Sequence, residues 1–270
     1  MKKFTIIILC GMLCAATLTN AQFQSGSGTE TDPYIISTPA QLVELAMLVQ
    51  EPTPIGDEGY IRKHYKLANN IDLSGYNAEN TNFNNGRGWI PIGTDWDTPF
   101  RDVFDGDGKS ITELYINNNT SSAVGLFGFM SGATIRNLSI TNADVTGSQY
   151  TGGIAGGMIN NSRLENCHVS GVIKSNSSAV GGIVGLVNLS SVSNCYANVE
   201  VIGNSQVGGI VGELYGTLNA CYVTGMVTGT QDVGGLAGSN GGSITNSAAL
   251  NLSVKGNANT GRITGYPLSS

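Results

Sequence analysis

The sequence predicts an all-β fold, a right-handed parallel β-helix (solenoid) with a short N-terminal capping helix. A unit of 26 to 29 residues recurs five times from residue 121. Each unit holds about three short apolar segments, and no segment is long enough for an ordinary helix. A fixed period of this size is typical of stacked repeats, in which each unit packs only on its neighbours. Parallel crossovers are almost always right-handed, which gives the expected hand.

The first segment, residues 1–21, is predicted to be a signal peptide. Lys2 and Lys3 precede an apolar run over 4–18, and Ala21 supplies the small residue before the expected cleavage point. The run is short for a membrane span, and no later stretch reaches the roughly 20 apolar residues that a span needs. We therefore expect an exported protein, secreted, periplasmic or at the cell surface, with no membrane insertion.

The charge of the chain argues against nucleic acid as a partner. The formal net charge is −6, and it becomes −8 without Lys2 and Lys3. Nucleic acids and anionic membranes attract clustered Lys and Arg, which this chain lacks. Only 12% of residues are charged, so the surface must consist largely of Ser, Thr, Asn and Gly. Such a surface suits strands and tight turns better than helices.

Residues 22–120 are predicted to form the N-terminal cap and irregular first coils. Ser37 or Thr38 caps a helix that has Pro39 in its first turn. Apolar residues then recur at helical spacing on one face, namely Leu42, Leu45, Ala46 and Val49. A helix placed before a solenoid would cover its open end. The alternative is a helix in a separate small domain.

The rest of this region is predicted to contain short strands and loops. The predicted strands cover residues 32–36, 65–73, 89–93 and 110–116, with loops at 52–59 and 74–87. An acidic loop holds Asp95, Asp97, Asp102, Asp105 and Asp107. A Ca²⁺ site is the alternative there, but Lys109 and Ser110 break the EF-hand pattern. We predict turns rather than a metal site, and no cofactor, because Asp and Gly are common turn formers.

Residues 121–258 are read as five repeats, and 259–270 as the degenerate start of another. Copies two to five carry a glycine-rich element, at 152–156, 181–185, 208–212 and 234–238. The sequence leaves open which of its two central apolar residues faces the core. A second anchor has Asn in four of five copies, namely Asn137, Asn166, Asn194 and Asn246. Asn tolerates the left-handed backbone region, so we predict a corner of stacked Asn residues there. A solvated polar stripe is the alternative.

Three cysteines follow the predicted signal peptide, at intervals equal to the repeat. Cys167, Cys195 and Cys221 should therefore stack at the strand separation of roughly 4.8 Å. Parallel Cβ directions disfavour a disulfide between neighbours. No CxxC pair or His partner has the spacing of a metal site. We predict a column of small, buried, unreactive thiols.

An outward column of aromatic residues is the predicted ligand-binding site. Strand alternation after the Cys position places His168, Tyr196 and Tyr222 on one outer face. Aromatic rings along a flat sheet can contact sugar rings or a partner's surface. The alternative is that Tyr is simply common in strands and pairs with its neighbour.

Two sets of residues resemble a known motif. Gly181–Gly185 followed by Asn194–Ala197 resembles the GLUG motif of bacterial secreted and surface proteins. That motif also occurs in the accessory region of immunoglobulin A-specific metallopeptidases. Upstream segments resemble its usual companion region, namely residues 28–29, 32–35, 38–45, 71–74, 91–93 and 104–108. The resemblance implies a β-helical, adhesin-like surface protein without established chemistry, and no HExxH of a peptidase domain is present.

No catalytic residues are predicted. Polysaccharide-cleaving β-helices need paired carboxylates on neighbouring coils. We expect the repeat carboxylates to fall at unmatched positions, namely Asp144, Glu165, Glu200, Glu213 and Asp232. The expected function is an exported, non-catalytic protein whose repetitive surface serves adhesion to a glycan or to a host or bacterial surface protein. A glycan-cleaving enzyme, lyase-like or hydrolase-like, and a structural spacer are the alternatives.

Overall fold

The computed structural model of the chain describes residues 23–50 and 62–268. The predicted signal peptide and the predicted loop at 52–59 lie outside the described residues. The N-terminal half of the described chain contains β1 (Tyr34–Ile36), α1 (Pro39–Gln50), β2 (His64–Leu67), β3 (Ile71–Asp72), a 3-10 turn (Asn84–Gly86), β4 (Val103–Asp105), β5 (Ser110–Thr112), β6 (Tyr115–Asn117), β7 (Phe127–Ser131), β8 (Thr134–Arg136) and β9 (Ser139–Gly147).

The repeats continue with β10 (Ala155–Ile159), β11 (Arg163–Glu165), β12 (His168–Ser175), β13 (Ser178–Gly181), β14 (Val184–Ser193), β15 (Tyr196–Ile202), β16 (Ser205–Gly208), β17 (Val211–Asn219) and β18 (Tyr222–Thr228). The last elements are β19 (Gln231–Gly234), β20 (Ala237–Asn240), β21 (Ser243–Thr245), β22 (Ala248–Ala249), β23 (Ser253–Lys255), β24 (Ala258–Gly261) and β25 (Thr264–Pro267).

These strands form three parallel sheets that run along one axis. Sheet A has 12 strands. Nine of them follow the order β1-β2-β4-β8-β11-β14-β17-β20-β25, and β7, β10 and β21 pair beside this path. Sheet B has 9 strands, in the order β22-β18-β15-β12-β9-β5-β3, and sheet C has 4, in the order β13-β16-β19-β24. The chain is thus a parallel β-solenoid of about 8 turns with one helix near the N-terminus. The predicted fold class is confirmed.

The two coils over residues 178–228 each contribute one strand to each sheet, as the three apolar segments predict, whereas in the next coil β20 and β21 both belong to sheet A and β22 and β23 both belong to sheet B. In the coil from Ser178 to Ile202, β13 lies in sheet C, β14 in sheet A and β15 in sheet B. Residues one repeat apart pair directly, as Val184 does with Val211. The degenerate last segment also stacks, because β24 pairs with β19 and β25 pairs with β20.

Both central residues of the glycine-rich element are buried, which answers the question that the sequence leaves open. Ile183 and Val184 have no exposed surface, and the matching pairs of the other copies are the same. The flanking glycine explains this burial. A Cβ on Gly185 would lie 2.5 Å from the backbone nitrogen of Thr151 in the preceding coil. Sheets A and C therefore touch backbone to backbone at this edge, and only glycine fits.

The predicted asparagine corner is confirmed. Asn137, Asn166, Asn194 and Asn246 have positive φ angles of 53°, 54°, 53° and 51°. The Asn166 side-chain amide donates a hydrogen bond to Asn137 Oδ1 at 3.2 Å, so part of the column forms a ladder along the axis. Ala220 takes the same position in the fourth copy and also has a positive φ, of 53°.

Ala220 is strained, so replacing it with asparagine should stabilise the protein. The left-handed conformation costs an ordinary L-residue roughly 1–2 kcal/mol, and Asn tolerates it better than Ala. We expect Ala220→Asn to raise the free energy of unfolding by about 0.5–1 kcal/mol, measured by denaturant titration. Ala220→Val is the opposing variant and should destabilise, because β-branched residues are the least tolerant of positive φ. Equal stability of all three proteins would contradict this account.

The N-terminal helix begins and packs as predicted. The Gln41 backbone N–H donates to Thr38 Oγ1 at 3.4 Å, and Gln41 Oε1 accepts from the Ser37 N–H at 2.7 Å. These two bonds resemble a capping box, except that the Gln41 side chain reaches back to Ser37, the residue before Thr38. Leu42, Leu45 and Ala46 are buried in the continuous hydrophobic cluster that fills the solenoid. Because α1 directly follows β1, which is the first strand of sheet A, it covers that end of the core.

Three predicted strands of the first coils are wrong in detail. The strand predicted over 110–116 is divided into β5 and β6, with Glu113 between them at a positive φ of 59°. Residues 89–93 form no strand and contain a single isolated bridge, between Ile92 and Phe127. Trp89 is nevertheless buried, and its indole N–H donates to the Leu126 carbonyl at 3.1 Å. The single strand predicted over 65–73 is two strands, β2 and β3, which belong to different sheets. The segment therefore turns a corner that apolar composition alone does not reveal.

Candidate functional site

The predicted aromatic column exists and its rings are stacked on each other. Residues His168, Tyr196 and Tyr222 pair directly across β12, β15 and β18 of sheet B. The His168 and Tyr196 ring centroids are 4.1 Å apart at an interplanar angle of 18°, and those of Tyr196 and Tyr222 are 5.0 Å apart at 4°. Burial lowers the pKa of the His168 imidazole below its ordinary value.

This stacking determines what the column can offer a ligand. Both faces of the Tyr196 ring are covered, by His168 on one side and by Tyr222 on the other. Tyr196 and Tyr222 are nonetheless 37% and 42% exposed, so their ring edges and hydroxyls face solvent. A sugar ring therefore cannot lie on Tyr196 in this arrangement. The surface instead presents a row of edges and hydroxyl groups.

Exposed apolar side chains also lie on this outer face, away from the column. Ile202 and Met226 lie further along β15 and β18, and Leu250 lies in the last coil of sheet B. Their exposed fractions are 37%, 41% and 56%. Together with Tyr196 and Tyr222 they form what we call the sheet B face. Asn198, Glu200 and Thr224 lie between the tyrosines and these residues on the same outer face, so the surface mixes aromatic, apolar and polar side chains.

The prediction that the repeat carboxylates are unmatched is wrong for Asp144 and Glu200. Val172 pairs with Asp144 on one side and with Glu200 on the other, so the two carboxylates lie in one column two coils apart. Two coils correspond to roughly 9.6 Å. A register shift between Val169 and Gly171 hides this match in the sequence. Asp144 is also paired with Lys174, at 3.4 Å.

The acidic loop makes turns and local ion pairs. Asp95 Oδ1 accepts hydrogen bonds from the Asp97 and Thr98 backbone N–H groups, both at 2.9 Å. Asp105 binds Arg136 at 2.8 Å. Burial alone would raise the pKa of the Asp105 carboxyl, but hydrogen bonds, including those from Asn137 and Arg136, lower it overall. Within residues 23–50 and 62–268, no group of three His, Cys, Asp or Glu side chains is placed to hold a metal ion.

The three repeat cysteines form the predicted buried column. Cys167, Cys195 and Cys221 are free thiols, each 1% exposed. The Cys167 backbone N–H donates to Cys195 Sγ at 3.4 Å, which links one coil to the next. Ser247 takes the place of Cys in the last copy, and its Oγ accepts from the Cys221 N–H at 3.1 Å. Burial raises the pKa of the Cys195 thiol well above its ordinary value.

A groove that sequence analysis missed crosses several coils on the outside of sheet A. Its volume is about 610 Å³. It follows a bend in the sheet: β14 and β17 run through this bend, whereas the corresponding strands of neighbouring coils are interrupted there. Its described lining residues are Asn161, Ser162, Arg163, Leu189, Ser190, Ser191, Tyr215, Gly216, Thr217, Gly242 and Ser243.

Small residues at the bend create this groove. Ser162, Ser190, Gly216 and Gly242 recur at the repeat interval, and a Cβ on Gly216 would lie 2.1 Å from the Ser190 carbonyl oxygen. Ser190 Oγ accepts a hydrogen bond from the Ser162 N–H at 3.2 Å, so the small polar side chains satisfy the backbone at the bend. This periodic set of small residues is the sequence signal that would have located the groove.

A partly buried carboxyl lies beside the groove. Glu213 is two residues before Tyr215 on β17, and burial raises the pKa of its carboxyl. Burial also raises the pKa of the Tyr215 and Tyr150 phenols, and the Glu213 charge adds to both shifts. Glu213 itself does not line the groove.

Comparison with known proteins supports the resemblance drawn from the residues. The sequence profile of the GLUG motif matches residues 176–202. Halomucin of Haloquadratum walsbyi is 37% identical over 171 residues, which is 62% of this chain and 2% of that protein. Immunoglobulin A1 protease of Streptococcus sanguinis is 31% identical over 97 residues, which is 34% of this chain and 5% of that protein. The chain thus spans only a small part of these relatives.

A solved structure shares the fold over most of the chain. A crystal structure titled as a "putative immunoglobulin A1 protease" from Bacteroides ovatus superposes with a TM-score of 0.70 at 25% identity. The match covers 90% of this chain and 74% of that one. Within the described residues, no helix is long and apolar enough to cross a membrane.

Proposed function

We propose that this chain, a GLUG-containing β-solenoid, is an exported, non-catalytic binding module at or near the cell surface. The sheet B face carries the contact with its partner, a glycan or a surface protein. The observation on which this proposal rests is the exposed row of Tyr196 and Tyr222, with Ile202 and Met226 also exposed further along the same face. Tyr-rich apolar patches are typical of the energetic centres of interfaces. Export is supported by the signal-like residues 1–21.

The test is to remove the two exposed tyrosines together. We expect Tyr196→Ala with Tyr222→Ala to weaken binding of the labelled protein to glycan arrays, or to fixed bacterial and animal cells, by about tenfold or more. The stacked pair contributes only about 0.5–1.5 kcal/mol beyond its buried area. The double variant should therefore still fold, which circular dichroism and thermal melting will check.

The matched control is Tyr266→Ala. Tyr266 is 44% exposed, close to the 42% of Tyr222, but it lies on β25 of sheet A. The Tyr266→Ala substitution should leave binding unchanged. Equal binding by the double variant and the wild type would remove the sheet B face from the proposal. Binding to arrayed glycans with none to protein-coated surfaces would identify the partner class, and the reverse result would identify a protein.

One observation bears on the enzyme alternative. The Asp144 and Glu200 carboxylates share a column at roughly 9.6 Å, near the upper limit of the carboxylate separations found in inverting glycosidases. Neither residue lines a described groove, and the Asp144 carboxylate is engaged by Lys174. Analysis of glycan products in the same binding experiment tests this alternative directly. A peptidase role is not proposed, because the chain contains no HExxH.

A further inference from the structure

We infer that the groove at the bend of sheet A, distinct from the sheet B face, is a binding site for an extended acidic oligosaccharide. Its walls come from four successive coils, so its long direction follows the solenoid axis. Three steps between coils correspond to roughly 14 Å. This length suits a linear oligosaccharide rather than a single sugar.

The chemistry of the lining favours a carbohydrate. One wall carries a column of outward polar side chains, because Arg163, Ser191, Thr217 and Ser243 pair in register from coil to coil. The opposite side is formed by the exposed side chains of Leu189 and Tyr215, which are 68% and 42% exposed. An aromatic ring and an apolar side chain facing a row of hydroxyl groups can contact a sugar chain on both its apolar and its polar surfaces.

The pairing of strands in register also repeats the hydroxyl groups at the spacing of the coils, so that successive units of a polymer can contact them. Thr217 and Ser243 present hydroxyl groups one coil apart, and Ser191 continues the same column. The backbone of β14 and β17 already pairs within the sheet, so no free strand edge is available here for an extended peptide. Recognition in the groove must therefore come from side chains. This argument favours a glycan over an acidic peptide.

Arg163 sets the charge of the ligand. It is the one charged residue among the described residues that line the groove, and its side chain is exposed. Glu165 follows on the same strand and Glu213 lies near Tyr215, but neither lines the groove. An uncommitted guanidinium beside hydroxyl groups matches a carboxylate on a sugar, which it can bind through two parallel hydrogen bonds.

The experiment measures binding of fluorescein-labelled oligogalacturonate, oligoalginate and hyaluronan oligosaccharides to the full chain by fluorescence polarisation. Maltooligosaccharides of matched length are the neutral arm, and an oligoglutamate peptide is the acidic non-sugar arm. We expect at least one carboxylated glycan to bind, with an affinity that falls as salt rises. The neutral arm and the peptide should bind at least tenfold more weakly.

Two variants test the site itself. Arg163→Gln should reduce acidic-glycan affinity by tenfold or more, and Tyr215→Ala should reduce it several-fold. Arg136→Gln is the matched control, because Arg136 lies on the preceding coil outside the groove and is paired with Asp105 at 2.8 Å. It removes the same charge and should leave affinity within twofold. Melting curves of all variants will show that the folds are comparable.

Three results would overturn this inference. They are no binding of any carboxylated glycan at millimolar concentration, equal losses for Arg163→Gln and Arg136→Gln, and binding of oligoglutamate as tightly as of the glycans. The double variant Tyr196→Ala with Tyr222→Ala should keep groove binding intact. Failure of the groove and failure of the sheet B face are therefore distinguishable.

Discussion

Replacing Gly212 with alanine should prevent stable folding or lower the melting temperature by at least about 6 °C. Gly212 is the last glycine of the fourth copy's glycine-rich element. An alanine Cβ there would lie 2.4 Å from the carbonyl carbon of Ala179 and 2.6 Å from the backbone nitrogen of Val180. Both atoms belong to the backbone of sheet C in the preceding coil, so no side-chain rotation relieves the overlap.

The size of the effect follows from this rigidity. Overpacking a core commonly costs about 1–3 kcal/mol when side chains can adjust. Here two sheets must separate, so we expect a loss of at least about 3 kcal/mol. For a chain of this length, each kcal/mol lowers the melting temperature by roughly 2–4 °C. Thermal melting followed by circular dichroism gives the measurement.

Gly75→Ala is the matched control for this substitution. A Cβ on Gly75 would meet no atom within 4 Å, and the residue is exposed. Its melting temperature should stay within about 2 °C of the wild type, since surface changes of this kind are usually within about 0.5 kcal/mol. If both variants have the same melting temperature, the close approach of sheets A and C is not what requires glycine in the motif.

The same close contact explains why the repeat could be predicted so fully from the sequence. In each coil the glycines, the buried residue pair and the cysteine position must stack on their counterparts, so similar requirements recur at each period. Asn166 and Cys167, for example, each take the backbone conformation and the burial that their columns predict. The N-terminal helix could be predicted for a different reason, because Thr38 and Pro39 mark its start locally, and the hydrogen bond from the Gln41 N–H to Thr38 Oγ1 agrees with that start.

Two other features that were missed depend on irregularities that periodic counting does not detect. The register of β12 against β9 shifts between Val169 and Gly171. Counting residues from the column of His168 therefore does not place Asp144 in the same column as Glu200, although strand pairing does. A second left-handed corner passes through Tyr150, Ala179, Gln206, Asp232 and Asn259, with φ between 46° and 56°. No residue type is shared among these five positions, because backbone packing of sheet C on sheet A fixes the conformation there.

This difference also explains why the candidate sites are less predictable than the fold. The core selects the same residue types in each coil, whereas outward positions are free to vary. Along the groove column, Arg163 is followed by Ser191, Thr217 and Ser243. Only a structure shows that these dissimilar residues share one wall. Function in such a solenoid therefore depends on variation superimposed on a constant backbone.

The thiols of Cys167, Cys195 and Cys221 should react with iodoacetamide at least about a thousandfold more slowly in the folded protein than in denaturant. Each is 1% exposed, so reaction requires opening of the stacked coils. Opening of a stable core is disfavoured by a factor of about 10³ or more. Burial also raises the pKa of the Cys195 thiol, and hydrogen bonding to Cys195 together with burial raises that of Cys221. Little reactive thiolate forms as a result.

Peptide mapping by mass spectrometry after timed alkylation measures each cysteine separately. Ser247→Cys provides the matched control, because Ser247 ends the same column and is only half-buried in the last coil. A cysteine introduced there should be labelled far faster than Cys195 under folding conditions. Rapid native labelling of Cys195, or a disulfide between Cys167 and Cys195, would contradict a dry, closed column of thiols. Either result would mean that the coils separate near Cys195, where stacking on both neighbouring coils should make opening least favourable.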